Sequence, residues 1–243
     1  MDAAAIERLE RDAVAGVGPR EVVEIAGWLA PLEDGTIGRA KSAVPLRHDL
    51  GPDAIGEVEA AYRSRGLPPA FRVADLPELA PVHAELSARG YQPCDATIFK
   101  IGDVTGLAAV SEACGRILSQ PDDAWTAVFQ GDGFDPADGA YRMEALGRAN
   151  TAYGASGEGE ATHAVGVVSF GEACAGVHGM RTAPAHRGKG HAAAVLAALG
   201  RAAEARGLGR VALQVLEANE TARRLYRRAG FTPAWRYHYW RKP

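Results

Sequence analysis

The sequence predicts a mixed α/β chain made of two tandem units of one architecture, and two observations carry that prediction. The first is an internal repeat. Arg65–Val73 (RGLPPAFRV) parallels Arg206–Val215 (RGLGRVALQV) at an offset of 141, and Pro81–Lys100 parallels Thr221–Trp240 at an offset of 140. The second is the alternation of strand-like and helix-like stretches in the latter half. In each copy a helix-like stretch ends at Arg-Gly-Leu and a strand follows. A second helix then closes on Gly-Tyr or Gly-Phe before another strand. Glycine just past a helix takes the left-handed conformation that ends it. The join falls near Gly102–Gly106, which divides the chain into residues 1–104 and 105–243.

The elements of the second unit follow in order. Asp122–Gln130 and Ala137–Ala149 read as short helices entered through PDD and DPAD turns, and Asn150–Glu160 (NTAYGASGEGE) as a flexible connector. Ala164–Phe170 and Gly176–Thr182 are strand-like, joined by a turn at Gly171–Ala175, and Pro184 stops the ladder. His191–Arg206 carries Val195, Leu196, Leu199 and Ala203 at helical spacing and ends on Gly207. Val211–Leu216 is a buried strand, Glu220–Ala229 a helix and Trp235–Trp240 an edge-like aromatic strand. Trp28, Tyr62 and Trp125 are expected in the core.

Composition narrows the function. The chain has 243 residues, 47% hydrophobic and 23% charged, with 27 basic against 30 acidic groups, which excludes a disordered polyelectrolyte. The longest apolar run, Ala192–Leu199, is far short of the ~20 residues that span a bilayer. The opening MDAAAIERLERDA lacks the apolar core of a signal peptide. Cys94, Cys114 and Cys174 form no C-x-x-C pair, so neither a disulfide framework nor a zinc site is implied, and a cytoplasmic location is expected. Charge is unevenly placed: from Arg181 onward there are 13 basic residues against three acids, and before it 14 basic against 27 acidic. Either the basic part meets an anionic ligand or the two halves neutralise each other.

The chemistry concentrates in two stretches. Arg187–Ala192 (RGKGHA) lies between a strand and a helix, where small residues let the backbone approach a ligand. Amides opening a helix at Gly188–Ala192 are unpaired donors with partial positive charge, an arrangement that binds phosphate or pyrophosphate. Gly188-x-Gly190-x-x-Ala193 also matches a dinucleotide fingerprint, but that fingerprint opens a sheet and needs several further βα units. Here 53 residues remain. A Walker loop fails because Lys189 is followed by glycine. The second stretch is Asn219–Phe231 (NETARRLYRRAGF), in which Asn219 is a good N-cap. Tyr226 follows seven residues later, returning to within ~20° of the same helix face, with Leu225 and Phe231 toward the core.

The pair R-x-x-G-x-A (Arg187, Gly190, Ala192) and N-x-x-A-x-x-L-Y-x-x-x-G-F (Asn219, Ala222, Leu225, Tyr226, Gly230, Phe231) resembles the acetyl-CoA-binding core of GNAT N-acetyltransferases. Met180-x-Thr182-x-Pro184 agrees in position, and the resemblance runs from about Gly166 to Trp240. It implies two GNAT-like domains, each a central twisted mixed sheet flanked by helices, the first degenerate. Gly38–Ala54 in the first unit has no R-x-x-G-x-A loop. It also implies two strands that splay to hold a pantetheine arm, with Gly179 marking a bulge there. Acetyl-CoA would be held as co-substrate by Met180, Arg181, Thr182, Arg187, Gly188, Lys189, Gly190, His191, Ala192, Asn219, Ala222 and Tyr226.

The implied reaction is direct attack of a primary amine on the thioester in a ternary complex. A backbone N–H near Met180 would hold the oxyanion, and Tyr226 would be general acid to the thiolate. Candidates for the amine's base are His178, Glu217 and Glu172, or a water. The acceptor would be a small-molecule or protein amine, and the acidic first 180 residues favour a cationic one. The protein would act as a monomer or homodimer, without a membrane or nucleic acid as partner. Two other classes compete, a non-catalytic acyl-CoA sensor and a nucleic-acid-binding module. A sensor would not need a thiolate acid at Tyr226. The alternating aromatic and basic residues of Trp235–Trp240 read better as a two-sided strand than as a nucleic-acid face. His186 and His191 flank the loop with no third ligand at metal spacing, so no metal is expected.

Overall fold

In the computed structural model, residues 1–113, 115–131, 133–159 and 161–243 are described. Cys114, and Glu160 at the end of the expected connector, lie outside the described residues. The first part runs α1 (Ala3–Ala15), β1 (Glu21–Ile25), β2 (Trp28–Leu32), β3 (Val44–Pro45), α2 (Ile55–Arg63), β4 (Phe71–Ala74), α3 (Ala80–Ala88) and β5 (Gln92–Asp103). Then come α4 (Val104–Ala108), β6 (Arg116–Leu118), α5 (Asp123–Phe129), α6 (Pro136–Arg148), β7 (Thr151–Ser156) and β8 (Ala164–Phe170). The chain closes with β9 (Ala175–Thr182), α7 (His191–Glu204), β10 (Arg210–Leu216), α8 (Glu220–Arg228) and β11 (Thr232–Arg241).

Eight strands form one mixed sheet in the order β4-β11-β5-β10-β9-β8-β7-β6, and β1-β2-β3 form a smaller sheet. The repeat seen in the sequence has a spatial counterpart. The segments β4–α3–β5 and β10–α8–β11 exchange strands, so β11 lies between β4 and β5, and β5 lies between β11 and β10. β5 and β11 pair antiparallel over most of their length, which carries the sheet across residue 104. Exchange of this kind removes two edges that would otherwise expose unpaired backbone groups.

Two sequence expectations change here. Asn150–Glu160 is not a connector, because Thr151–Ser156 is a strand paired antiparallel to β8 throughout. Its small residues are a packing requirement: a Cβ at Gly154 would come within 2.8 Å of Leu199 on α7. Trp235–Trp240 is not at an edge either, since β11 is bonded on both sides. Its Trp235, Tyr237, Tyr239 and Trp240 are buried, with Phe99 stacked on Trp235 at 4.1 Å.

Trp28, Tyr62 and Trp125 are fully buried, as expected. The Tyr62 hydroxyl donates to the Pro31 carbonyl at 2.9 Å and the Trp125 indole to the Gly154 carbonyl at 2.9 Å, so the polar ends of these two are satisfied, whereas the Trp28 indole nitrogen has no partner among the described residues. Helix α1 is fixed to the β8–β9 turn by Asp12, whose carboxylate accepts the N–H groups of Glu172, Ala173 and Cys174 at 2.8–3.0 Å. Basic residues near the C-terminus pair with acids of the first part. Arg236 meets Asp75 at 2.7 Å, and Arg241 meets Asp95 at 2.9 Å. Part of the charge split is therefore internal neutralisation. No helix among the described residues is long and apolar enough to cross a membrane.

Candidate active site

The site begins where two parallel strands stop pairing. β9 and β10 are bonded only from Ala175/Val211 to Val177/Leu213. Beyond that point β10 stays paired to β5 as far as Leu216, while β9 stays with β8, and the two strands part. The register of β9 against β8 slips between Val165 and Val167, opposite Gly179, whose φ of +62° is readily adopted only by glycine. This bulge turns the end of β9 outward and leaves its inner backbone edge unpaired, the form expected of a slot for an extended ligand chain.

At the mouth of this gap stands the N-terminus of α7. Gly188 and Gly190 have φ of +78° and +87°, so the loop needs glycine at both positions to turn into the helix. Among the described residues no side chain caps α7. The N–H groups from Gly188 through Ala192 find no backbone partner among the described residues. They form a run of free donors at the positive end of a 14-residue helix.

The second wall is α8. Asn219 caps it by accepting the Ala222 N–H at 3.1 Å. Tyr226 is only 8% exposed, edge-on to Phe231, and burial pushes its phenol up to about 12.

Between these elements lies a cleft of about 840 Å³, the size of a small-molecule site. Of the residues singled out for cofactor binding, Met180, Arg181, Thr182, Arg187, Gly188, Gly190, His191, Ala192, Asn219, Ala222 and Tyr226 all line it. Lys189 is exposed on the loop and does not. Arg181 turns its guanidinium to the Gly131 carbonyl at 2.8 Å and over the Phe134 ring. Leu225, expected in the core, is half-buried and also forms part of the wall. With Thr221 and Arg228 it makes a stripe at spacings of four and three along α8, a signal present in the sequence but not used.

His178 and Glu217 are not brought to this cleft. His178 lines a separate cavity of about 10 Å³, room for about one water, together with Asp12, Arg39, Ser169 and Gln214. Burial first, and the nearby Arg39 charge second, lower its pKa to about 3, so the ring is neutral. Glu217 is gripped by Arg236, which donates to its Oε2 at 3.0 and 2.8 Å. Glu172 is exposed in the β8–β9 turn, its N–H given to Asp12. At the α7 end of the cleft the fold does what sequence spacing did not, and adds His163 beside His186 and His191. Burial first, then the adjacent His163, Lys189 and His191, lower the pKa of His186.

A splayed β9–β10 pair, a glycine loop opening α7 and a tyrosine on the following helix together describe the GNAT acetyltransferase fold. Solved structures agree. A GCN5-related N-acetyltransferase from Kribbella flavida superposes with a TM-score of 0.72 at 19% identity, covering 100% of this chain and 96% of the other. A tandem GNAT protein from the clavulanic acid biosynthesis pathway gives 0.61 at 16% identity, covering 99% and 96%. The chain belongs to the family described as "Probable histone acetyltransferase Rv0428c C-terminal", which matches residues 3–240. It is also 30% identical over 126 residues to the probable histone acetyltransferase Rv0428c of Mycobacterium tuberculosis. That match covers 52% of this chain and 39% of the relative.

Proposed function

We propose that the chain is an acetyl-CoA-dependent N-acyltransferase that passes the acetyl group to a primary amine by direct attack within a ternary complex. The observation that carries this reading is the juxtaposition, in one cleft, of the free amides of Gly188–Ala192, the unpaired edge of β9 and the Tyr226 phenol. The amides suit the pyrophosphate and the β9 edge suits the pantetheine arm. A backbone N–H near Met180 receives the oxyanion. Residues 105–243 carry the cofactor, and residues 1–104 wall the acceptor side.

The amine nitrogen attacks the thioester carbon, and the C–S bond breaks as the tetrahedral intermediate collapses. Sulfur takes the Tyr226 proton, and the acceptor's ammonium replaces it, so the net transfer is from nitrogen to sulfur. At about 12 the phenol is some three orders of magnitude weaker an acid than an ordinary thiol. It therefore stays protonated until charge develops on sulfur. His178, neutral down to about 3, is far too weak a base for an alkylammonium near 10.4. The amine enters neutral or loses its proton to water.

The likeness to a probable histone acetyltransferase supports a protein amine as acceptor, with small amines as the other class. The acidic excess before Arg181 favours a cationic acceptor. Calorimetry with coenzyme A, followed by thiol release from acetyl-CoA across an amine panel, tests the reading. Binding and release with cationic amines are expected. Absence of coenzyme A binding overturns the function, and preference for anionic amines overturns the acceptor class.

A further inference from the structure

Three histidines converge at the α7 end of the cleft from separate parts of the chain. His163 lies just before β8, His186 in the turn after β9 and His191 in the first turn of α7. Each offers one ring nitrogen, and the three atoms lie within 4.8 Å of one another. Two rings contain a nitrogen shut off from solvent with no hydrogen-bond partner among the described residues, Nδ1 of His186 and Nε2 of His191. On His191 the opposite nitrogen, Nδ1, lies 3.2 Å from Ser156 Oγ, which leaves Nε2 as the free donor. A ligating imidazole has this form, one nitrogen oriented by an outer hydrogen bond and the other open to the ion.

We infer that His163, His186 and His191 form a binding site for a first-row divalent transition-metal ion, with Ser156 positioning His191. The donor set decides the class of ion. Three neutral imidazoles suit Zn²⁺, Ni²⁺, Co²⁺ or Cu²⁺, whereas Mg²⁺ and Ca²⁺ require oxygen ligands. Three protein ligands leave a further position for water or an anion, and His186 and His191 already line the cleft. The His163 and His186 rings are stacked 3.5 Å apart at 11°. A bound ion lies in the plane of each imidazole, so two parallel rings cannot share it, and loading turns one of them about its soft χ2 torsion. The inference does not depend on what fills the cleft.

The test uses the full, tag-free chain without coenzyme A. In chelator competition, one Zn²⁺ per chain is expected to bind and Mg²⁺ to bind not at all. X-ray absorption should show imidazole nitrogens about 2.0–2.1 Å from zinc. His163→Ala, His186→Ala and His191→Ala should each weaken Zn²⁺ binding at least about tenfold, and Ser156→Ala about tenfold. His83→Ala, whose ring lies against the Ala74 carbonyl at 3.1 Å in the first part, should change nothing. Failure of wild-type protein to bind stoichiometric zinc overturns the site, as does a zinc spectrum without imidazole or equal affinity in the triple variant. If a variant misfolds, the wild-type absorption spectrum alone decides.

Discussion

The segments β4–α3–β5 and β10–α8–β11 run through the same elements in the same order and join along the β5–β11 seam, and it is the second whose helix walls the 840 Å³ cleft. Displaced by 140 residues, Leu79 stands where Asn219 does, Leu86 where Tyr226 does and Tyr91 where Phe231 does. Leu79 and Leu86 are fully buried, and α3 has no side-chain cap. The helix before each segment differs in the same sense. α7 is entered through free amides, whereas the chain leading to α2 carries Arg47 already paired with Asp49 at 2.8 Å. Even the parallel pairing of β9 with β10 has a remnant, a single bridge between Ala43 and Phe71. One backbone plan thus gives a packed core or an open slot according to whether leucine or polar side chains face the gap.

The comparison is tested most sharply by exchanging roles at the matched pair Tyr226 and Leu86. Tyr226→Phe should lower kcat by about 10²–10⁴ while leaving the Kd for acetyl-CoA near wild type, because it removes a proton donor and keeps the ring. Steady-state thiol release and calorimetry read the two quantities. Leu86→Ala should do the reverse, costing about 2–5 kcal/mol in urea unfolding with kcat unchanged. Wild-type turnover in Tyr226→Phe would remove the phenol from the mechanism.

Each half also holds a half-buried, desolvated histidine that stays neutral, and this predicts how both fail in acid. His48 packs edge-on against Trp235 and has its pKa lowered to about 4, chiefly by burial. His178 is lowered to about 3 for the same reason. An ordinary histidine titrates near 6.5, so below that pH the unfolded chain binds protons that the folded chain does not. Stability is fully present above pH 6.5. It falls as pH drops toward 4, by about 1.4 kcal/mol per pH unit for each group. Urea midpoints from pH 7.5 to 4.5 measure the slope, which His48→Gln and His178→Gln should each flatten by about 1.4 kcal/mol per pH unit. A slope unchanged by both variants would assign the acid lability to carboxylates.

Much of the wall of the cleft is legible in the sequence because its parts are local. Arg187–Ala192, Asn219 and Tyr226 are set by a loop and by helical periodicity, which need no distant partner to read. Gly179 marked the bulge for the same reason. What escaped was set by pairing far along the chain. The place of β5 between β10 and β11 depends on residues more than a hundred positions apart, so β11 read as an edge. β7 was hidden because Gly154 is dictated by Leu199 on α7 rather than by a turn. His163 lies 23 residues from His186, and only the β8–β9 pairing brings them together. His178 and Glu217 illustrate the converse. Their chemistry suited a base, but surroundings invisible in the local sequence decide otherwise: burial, with Arg39 second, keeps His178 neutral, and Arg236 holds the Glu217 side chain by two hydrogen bonds.

The two smallest effects concern the entrances to the paired helices. Gly190→Ala places a Cβ on a residue at φ +87°, costing about 1–2 kcal/mol for the left-handed conformation. The loop should lose its donor geometry, coenzyme A should bind about tenfold more weakly by calorimetry, and the unfolding free energy should fall by no more than that strain. Asn219→Ala is smaller still. It removes the cap that holds the Ala222 N–H at 3.1 Å, worth about 1 kcal/mol. Its counterpart Leu79 carries no cap, so α3 shows that packing alone sustains this helix when the gap is closed. Because α8 faces an open cleft, the lost cap should fray its first turn, where Thr221 and Ala222 form part of the wall. Amide exchange should therefore speed up at Thr221–Arg223 and not within α3. If added coenzyme A slows that exchange again in Asn219→Ala, the ligand is ordering the turn that leucine packing orders in the first copy.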